Sequence, residues 1–430
     1  MNSKKSLIAL AVASTLSTAP VLVSAAGFAL IEQNASGMGN AFAGAAAVAE
    51  DASTIFFNPA GLTRLQGKQV VVAAHLIDLG IEFSNNGSSS APATIATVGS
   101  NGGDAGDGIF VPNVYFSMPL GEKLTFGVGV NAPFGLVTEY DSDWVGRFQG
   151  IKSDLATLNI NPTLAYKIND AVSVGFGVSY QQFEAELTNK INGAGFGVPG
   201  AEFSSSLKAD DDGIGWNAGV LVDAGPTTRI GASYRSAIEY TLKGELNINS
   251  PTGANVVVPG LTGAVETDVT LPDMISISLM QGITENIILL ADVTSTRWSE
   301  IKDIRIINSG SGATADTLVL NFDDTMRYSI GLNYKISDQL TARFGLALDE
   351  SPVSDGNRTV RLPDNDRTWI TIGGSYKLNE SGRIDFAYAN LSTGDTPIDQ
   401  TRGNAAANGR VAGTYDVGIN IFSVQYSMSF

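Results

Sequence analysis

Cysteine is absent from this chain of 430 residues, and histidine occurs once, at His75. Disulfides, thiolate metal sites and cysteine nucleophiles are therefore excluded, and a zinc site or a serine triad would have to be built around His75 alone. Basic residues are scarce too, 26 Lys and Arg against 43 Asp and Glu. That balance repels a polyanion, so nucleic acid is excluded as a partner. Beyond residue 23 no apolar run approaches the roughly 18 residues that a membrane-spanning helix requires, which excludes helical spans. No nucleotide-binding motif is present, and no cofactor is expected.

What the chain does have begins at its N-terminus. Lys4 and Lys5 precede an apolar stretch from Leu7 to Val23, and small residues follow at Ser24, Ala25 and Ala26. This order predicts a cleaved secretory leader over residues 1–25, because the stretch is short and broken by Pro20, unlike an anchor. Without the leader, 24 basic side chains face 43 acidic ones, a formal charge of −19. The acidic clusters Asp210-Asp211-Asp212 and Asp323-Asp324 lack regular calcium-ligand spacing and read as solvated loop acids, so no metal is expected.

Alternation of period two dominates the rest. At the C-terminus Phe422, Val424, Tyr426, Met428 and Phe430 alternate with Ser423, Gln425, Ser427 and Ser429, a strand with one apolar and one polar face. Similar patterns run through Leu124 to Val130, Val172 to Tyr180, Tyr328 to Ile336, Leu340 to Leu348 and Ile384 to Tyr388. Short turns at 119–122, 168–171, 223–228, 282–285, 336–339 and 378–382 alternate with long polar stretches at 84–108, 138–153, 187–211, 244–268, 299–323, 350–366 and 390–413. Strict short-long alternation is the mark of an outer-membrane barrel. Six short and seven long connections predict a fourteen-stranded antiparallel transmembrane β-barrel over residues 67–430.

A barrel of that width cannot fill itself with its own side chains. The expected occupant is the segment 26–66, a hatch plugging the lumen. It is dense in small residues from Gly37 to Ala47 and carries Phe28, Phe42, Phe56 and Phe57. An amphipathic helix is expected from Ala41 to Glu50, ending before the turn-like Asn58-Pro59-Ala60-Gly61. In the wall, Pro133 has no N–H for a ladder and Gly135 tolerates a bulge, so pairing should break over Asn131 to Gly135, a stretch that includes Phe134. An ordinary strand end entering a loop is the alternative.

Several of these residues carry a resemblance. Ala26-Gly27-Phe28, the Gly37 to Gly44 run, Glu50-Asp51-Ala52, Asn58-Pro59-Ala60, Val111-Pro112-Asn113, Pro133-Phe134-Gly135-Leu136, Tyr234-Arg235-Ser236, Leu271-Pro272-Asp273 and Asp349-Glu350-Ser351-Pro352-Val353 together resemble the FadL-type transporters of long-chain fatty acids in the Gram-negative outer membrane. The resemblance implies passive, non-enzymatic uptake by a monomer among outer-membrane lipid and lipopolysaccharide. Cargo would be captured between two outer loops, 187–211 with Phe196, Val198 and Phe203, and 244–268 with Val257 and Leu261. It would pass to an internal pocket beside Phe28 and leave sideways through a gap at the kink formed by Asn131, Pro133, Phe134 and Gly135. Asn58, Pro59 and Ala60 would lie against that kink. The basic residues that hold the carboxylate in the family map to Asn189, with Lys190 adjacent, and to Leu318. That departure leaves uncharged hydrocarbons such as monoaromatics as the alternative cargo, and an enzyme built on His75 as the reading from another class.

Overall fold

A computed structural model describes residues 27–89, 98–403 and 405–430; the expected leader lies outside them. Fourteen antiparallel strands close into one barrel. In chain order they are β1 (Gln69–Asn85), β2 (Gly108–Pro119), β3 in two pieces (Leu124–Asn131 and Gly135–Glu139), β4 (Lys152–Lys167), β5 (Val172–Asn192), β6 (Glu202–Asp223) and β7 (Thr228–Arg235 and Ile238–Asn249). The other half comprises β8 (Gly263–Leu271 and Met274–Gly282), β9 (Ile287–Thr296 and Asp303–Asn308), β10 (Thr314–Val319 and Thr325–Lys335), β11 (Leu340–Asp349), β12 (Arg367–Lys377), β13 (Gly382–Thr393 and Thr396–Gln400) and β14 (Val411–Ser429). β1 pairs with β14 from Gln69↔Ser429 to Asn85↔Gly413, which closes the ring.

The alternation sorts the side chains between lipid and lumen. On β14 Phe422, Val424, Tyr426 and Met428 are exposed outward while Ser423 and Gln425 are buried inward, and Phe344, Leu346, Ile370 and Ile372 repeat the outward pattern on β11 and β12. Pairing along the ladders satisfies the backbone groups that face lipid, as a sheet crossing a bilayer demands, and it lapses between β2 and β3. Several of the long polar stretches differ from expectation, because much of 187–211, 244–268, 299–323 and 390–413 remains strand. β5 and β6 stay paired up to Asn192↔Glu202, so only residues 193–201 connect them. The hairpin Asp303–Asn308 with Thr314–Val319 likewise occupies most of 299–323. Polar residues on both faces signal exit from the lipid, not the end of pairing.

Residues 27–66 lie inside the ring, where little of their surface is exposed. They hold short helices, α1 (Ala35–Met38), α2 (Ala45–Val48) and α3 (Thr54–Phe57), followed by a 3-10 turn at Pro59–Arg64. The ten-residue helix expected from Ala41 to Glu50 does not form. Ala41 and Phe42 instead take left-handed backbone, with φ of 50° and 55°, a conformation unfavourable for residues bearing a Cβ. Tertiary contacts impose it: Arg327 on β10 donates to the Ala41 carbonyl at 2.7 Å, and the Phe42 ring stands edge-on to Trp369 at 6.3 Å. The backbone at Asn40 and Ala41 runs so close to Gly345 on β11 that no Cβ fits there. Glu50 and Asp51 carry the segment's charge to the wall, meeting Arg343 at 2.7 Å and Arg383 at 2.7 Å respectively.

Candidate functional site

The wall is interrupted between β2 and β3. Their ladder runs from Pro119↔Thr125 to Val114↔Val130 and stops, while β2 stays paired to β1 as far as Gly108. On the other side, β3 pairs with β4 to Asn131↔Asn159 and resumes at Gly135↔Ala156, so three residues of β3 oppose two of β4. This bulge follows from Pro133, which cannot donate to a ladder. Thr157 stabilises it: its hydroxyl accepts from Phe134 N at 2.9 Å and donates to Phe134 O at 2.7 Å. Beyond the bulge Leu136, Val137 and Thr138 are buried in succession, so the outer piece of β3 has turned into the lumen.

The N-terminal segment bridges the two edges of this break. Toward β3, Leu30 N donates to Pro133 O at 2.7 Å and Phe28 O accepts from Gly135 N at 2.9 Å, framing an antiparallel bridge between Ala29 and Phe134. Gln33 Nε2 reaches Ala132 O at 3.0 Å. Toward β2, Asn113 Nδ2 donates to Glu32 O at 2.8 Å and Tyr115 OH to Gln33 O at 3.1 Å. Asn131 also belongs to this seam, accepting from Asn159 Nδ2 at 2.9 Å. Glu32 itself is fully buried, and neither carboxylate oxygen has a hydrogen-bond partner. Burial pushes its pKa up to about 7, with Arg367 and Arg327 opposing and Asp349 adding to the shift.

Two cavities adjoin the seam. The upper one, about 90 Å³, is walled by Phe28, Leu136, Phe183, Leu242, Leu318 and Phe322 among other apolar side chains, and by Arg361. The lower one, also about 90 Å³, is more polar: Leu30, Ile31 and Phe56 share its wall with Arg235, Asp292 and Arg327. Phe28, 5% exposed, stands between Phe134 at 6.1 Å and Trp298 at 4.8 Å. Small-molecule sites usually offer at least roughly 300 Å³, so a long chain enters only if side chains such as Phe28 give way.

The other residues singled out from sequence distribute unevenly. Asn58, Pro59 and Ala60 do not meet the kink. Asn58 Nδ2 donates to Ala46 O at 2.7 Å and to Val220 O at 3.0 Å, and Pro59 and Ala60 lie against Gly175 on β5. The Asn58 side chain is committed there because its Oδ1 also caps the following turn through Ala60 N at 3.1 Å. In the outer hairpins the Phe196 and Phe203 rings pack at 4.6 Å, tilted by 43°, while Val198 and Val257 are 48% and 79% exposed. Leu261 packs on a cluster with Leu207, Leu246, Val265 and Ile306, of which Leu207 and Ile306 also line the upper cavity. Lys190 is directed to Ser204 Oγ at 2.9 Å and takes no part in the cavity wall.

Two further residues complete the description. His75 is fully buried, its Nδ1 2.6 Å from Ser423 Oγ, and among the described residues no carboxylate bonds to it; Ser423 in turn donates to Met38 Sδ at 2.9 Å. Arg361 was not distinguished in sequence, where an arginine inside the polar stretch 350–366 resembles a solvated loop residue. Only its burial against an apolar cavity sets it apart.

Comparison with known proteins agrees with this architecture. The model of the outer membrane protein transport protein family (OMPP1/FadL/TodX) matches residues 16–430. Outer membrane protein P1 of Haemophilus influenzae is 30% identical over 419 residues, covering 88% of this chain and 89% of that one. The long-chain fatty acid transport protein of Escherichia coli K12 is 28% identical over 408 residues, covering 86% and 90%. Among solved structures, a Pseudomonas aeruginosa FadL homologue superposes with a TM-score of 0.86 at 24% identity, covering 94% of this chain and all of that one. The Ralstonia pickettii toluene transporter TbuX gives 0.67 at 21%, covering 93% and 100%.

Proposed function

The chain belongs to the outer membrane protein transport protein family (OMPP1/FadL/TodX), and from that premise we propose that it takes up long-chain fatty acids passively across the outer membrane. Cargo settles on the outer hairpins, enters the upper cavity beside Phe28, and leaves through the break between β2 and β3. Residues 26–66 serve as the hatch. The observation that carries this reading is the end of the β2–β3 ladder at Val114↔Val130, bridged by residues 28–33 and adjoined by both cavities. Sideways exit has an energetic motive: at about 0.8 kcal/mol per buried methylene, a chain of ~15 methylenes resists release into water by ~12 kcal/mol. Delivery into the lipid and lipopolysaccharide around the apolar belt avoids that step, needs no energy source, and is complete within one monomer.

Uncharged hydrocarbons such as monoaromatics, carried along the same route, are a second reading. It is favoured by the apolar Leu318 in the cavity wall, and the toluene transporters share the fold. Expression in a strain lacking its own transporter separates the two: growth on oleate is expected, growth on an aromatic carbon source alone would favour the second, and growth on neither would refute the function. In planar bilayers the intact protein should conduct little, whereas deletion of residues 27–66 should produce steady ion conductance.

A further inference from the structure

The wall lapses a second time, between β8 and β9. Their lower pieces pair from Gly282↔Ile288 to Met274↔Thr296. One more rung follows, where Arg297 N donates to Asp273 O at 3.1 Å and the Arg297 guanidinium donates to the Asp273 carboxylate at 2.7 and 2.8 Å. The ladder returns only at Glu266↔Ile307 and Val265↔Asn308. In between, among the described residues, 267–272 of β8 and 298–306 of β9 share no rung. Pairing ends there because Pro272 has no N–H to give and because β9 turns aside in a 3-10 turn, Trp298–Glu300. The outer edges stay intact: β8 remains paired to β7 from Thr267↔Leu242 to Leu271↔Ile238, and β9 to β10 from Asp303↔Val319 to Ile306↔Asp316. The opening is a slit in otherwise continuous sheet, not a frayed end.

Side chains close this slit. Val269 and Leu271 on β8 and Ile301 on β9 are buried in one apolar cluster, with Ile304 packed against it. Val269 and Ile304 also line the upper cavity, so the slit is part of that cavity's wall. On its outer side Asp268, Asp303 and Arg305 are exposed. Below it, Ile275 and Ile277 on β8 and Leu289 and Val293 on β9 are exposed as part of the apolar belt. The slit therefore stands immediately above the hydrocarbon, at the level of lipid headgroups, where water can satisfy the strand edges that the ladder leaves bare.

We propose that this slit is the entrance to the upper cavity, admitting the alkyl tail of an amphiphile that lies in the outer leaflet. The proposal rests on the carrier function above and deepens it by fixing where cargo enters. Passage displaces side chains such as Val269 and Ile304 and breaks no rung of the sheet, whereas entry between fully paired strands would break several hydrogen bonds. A tail that moves from lipid into an apolar cavity stays out of water throughout, so the burial of its methylenes is exchanged and not lost. Entrance and exit lie at different strand pairs of the ring. Trp298, on the edge of the slit, is 4.8 Å from Phe28, which stands at the break between β2 and β3.

The test bridges the slit from outside, without filling the cavity. Thr270 stands between the buried Val269 and Leu271 and so points outward, and Asp303 is exposed on the opposite edge. In a chain with no native cysteine, the thiols of Thr270→Cys/Asp303→Cys are joined by bis-methanethiosulfonate spacers of graded length, and uptake of labelled oleate is followed in a strain lacking its own transporter. Leu348→Cys/Thr368→Cys, on the unbroken ladder between β11 and β12, receives the same reagents as the control. The bridged slit should slow uptake at least about tenfold, with recovery when dithiothreitol removes the spacer, while the bridged control keeps its rate. Undiminished uptake by protein that mass spectrometry shows to be bridged overturns the entrance and leaves the carrier function standing, and an equal fall in the control overturns it too. Should the first pair fail to assemble, Asp268→Cys/Arg305→Cys on the same two edges puts the same question. Wild-type protein that takes up no oleate refutes the carrier function and the entrance together.

Discussion

Cysteines introduced at Ala29 and Phe134 should lock the seam and stop uptake. The two residues face each other in an antiparallel bridge, flanked by Leu30 N to Pro133 O at 2.7 Å and Gly135 N to Phe28 O at 2.9 Å. A pair framed in this way has Cα atoms roughly 4.5 Å apart, inside the ~4.4–6.8 Å that a disulfide spans. With no native cysteine in the chain, the cross-link is unambiguous. Freeing residues 28–30 breaks those two hydrogen bonds, at about 1 kcal/mol each, and exposes Phe28, at about 2 kcal/mol. The sum of about 4 kcal/mol corresponds to an open population on the order of one in a thousand, which on the proposed route cargo would raise by displacing Phe28. Oxidised Ala29→Cys/Phe134→Cys should therefore take up labelled oleate at least about tenfold more slowly, with recovery on adding dithiothreitol, while each single variant ignores the oxidant. Full uptake by protein shown by mass spectrometry to be cross-linked would refute the claim that the seam must part.

Two other perturbations probe the lumen. Because burial raises Glu32 from 4.5 to about 7, the folded state holds a proton that the unfolded chain releases, so stability should fall as pH rises from about 4.5 to 7 and level off above. That amounts to about 3 kcal/mol; Glu32→Gln should abolish this part of the pH dependence in thermal unfolding, and equal slopes for variant and wild type would contradict it. His75→Ala should destabilise the barrel by roughly 1–2 kcal/mol through a lost buried contact yet leave oleate uptake within about twofold, and loss of uptake from a folded variant would revive a catalytic role for the Ser423–His75 pair.

How far these features were legible from sequence depends on whether local pattern or tertiary contact decides them. The strand number was legible because lipid outside and a polar lumen inside impose a period of two on every span. Loop lengths were not, since β5 and β6 remain paired well past the lipid, where neither face is required to be apolar. The Ala41 to Glu50 helix fails although its residues favour helix: Arg327, on a strand almost 300 positions away, takes the Ala41 carbonyl. The break at Pro133 was readable from proline's missing donor, whereas its bridging by Phe28 to Gln33 was not, because those bonds run mostly through backbone. Arg361 carries no local sign at all.

The segment inside the barrel is held unequally along its length, and that inequality reconciles two opposed demands. From Ala35 to Arg64 it is fastened by charge: Arg343 and Arg383 on Glu50 and Asp51, Arg327 on Ala41, and Arg64 on Asp223. Each of these ion pairs is part-exposed on at least one side, but they act together, so on the proposed route this is the part expected to stay seated and to keep water and ions from crossing the wide ring. From Gly27 to Gln33 the fastenings are hydrogen bonds worth about 1 kcal/mol each, more where Gly27 N donates to the Asp364 carboxylate at 2.8 Å, and a few apolar side chains beside a cavity that the proposed cargo would compete to fill. On the route proposed above, loosening only these would expose the break between β2 and β3 while the lumen below stayed shut. On that reading the barrel would release a hydrophobic molecule sideways without becoming a pore.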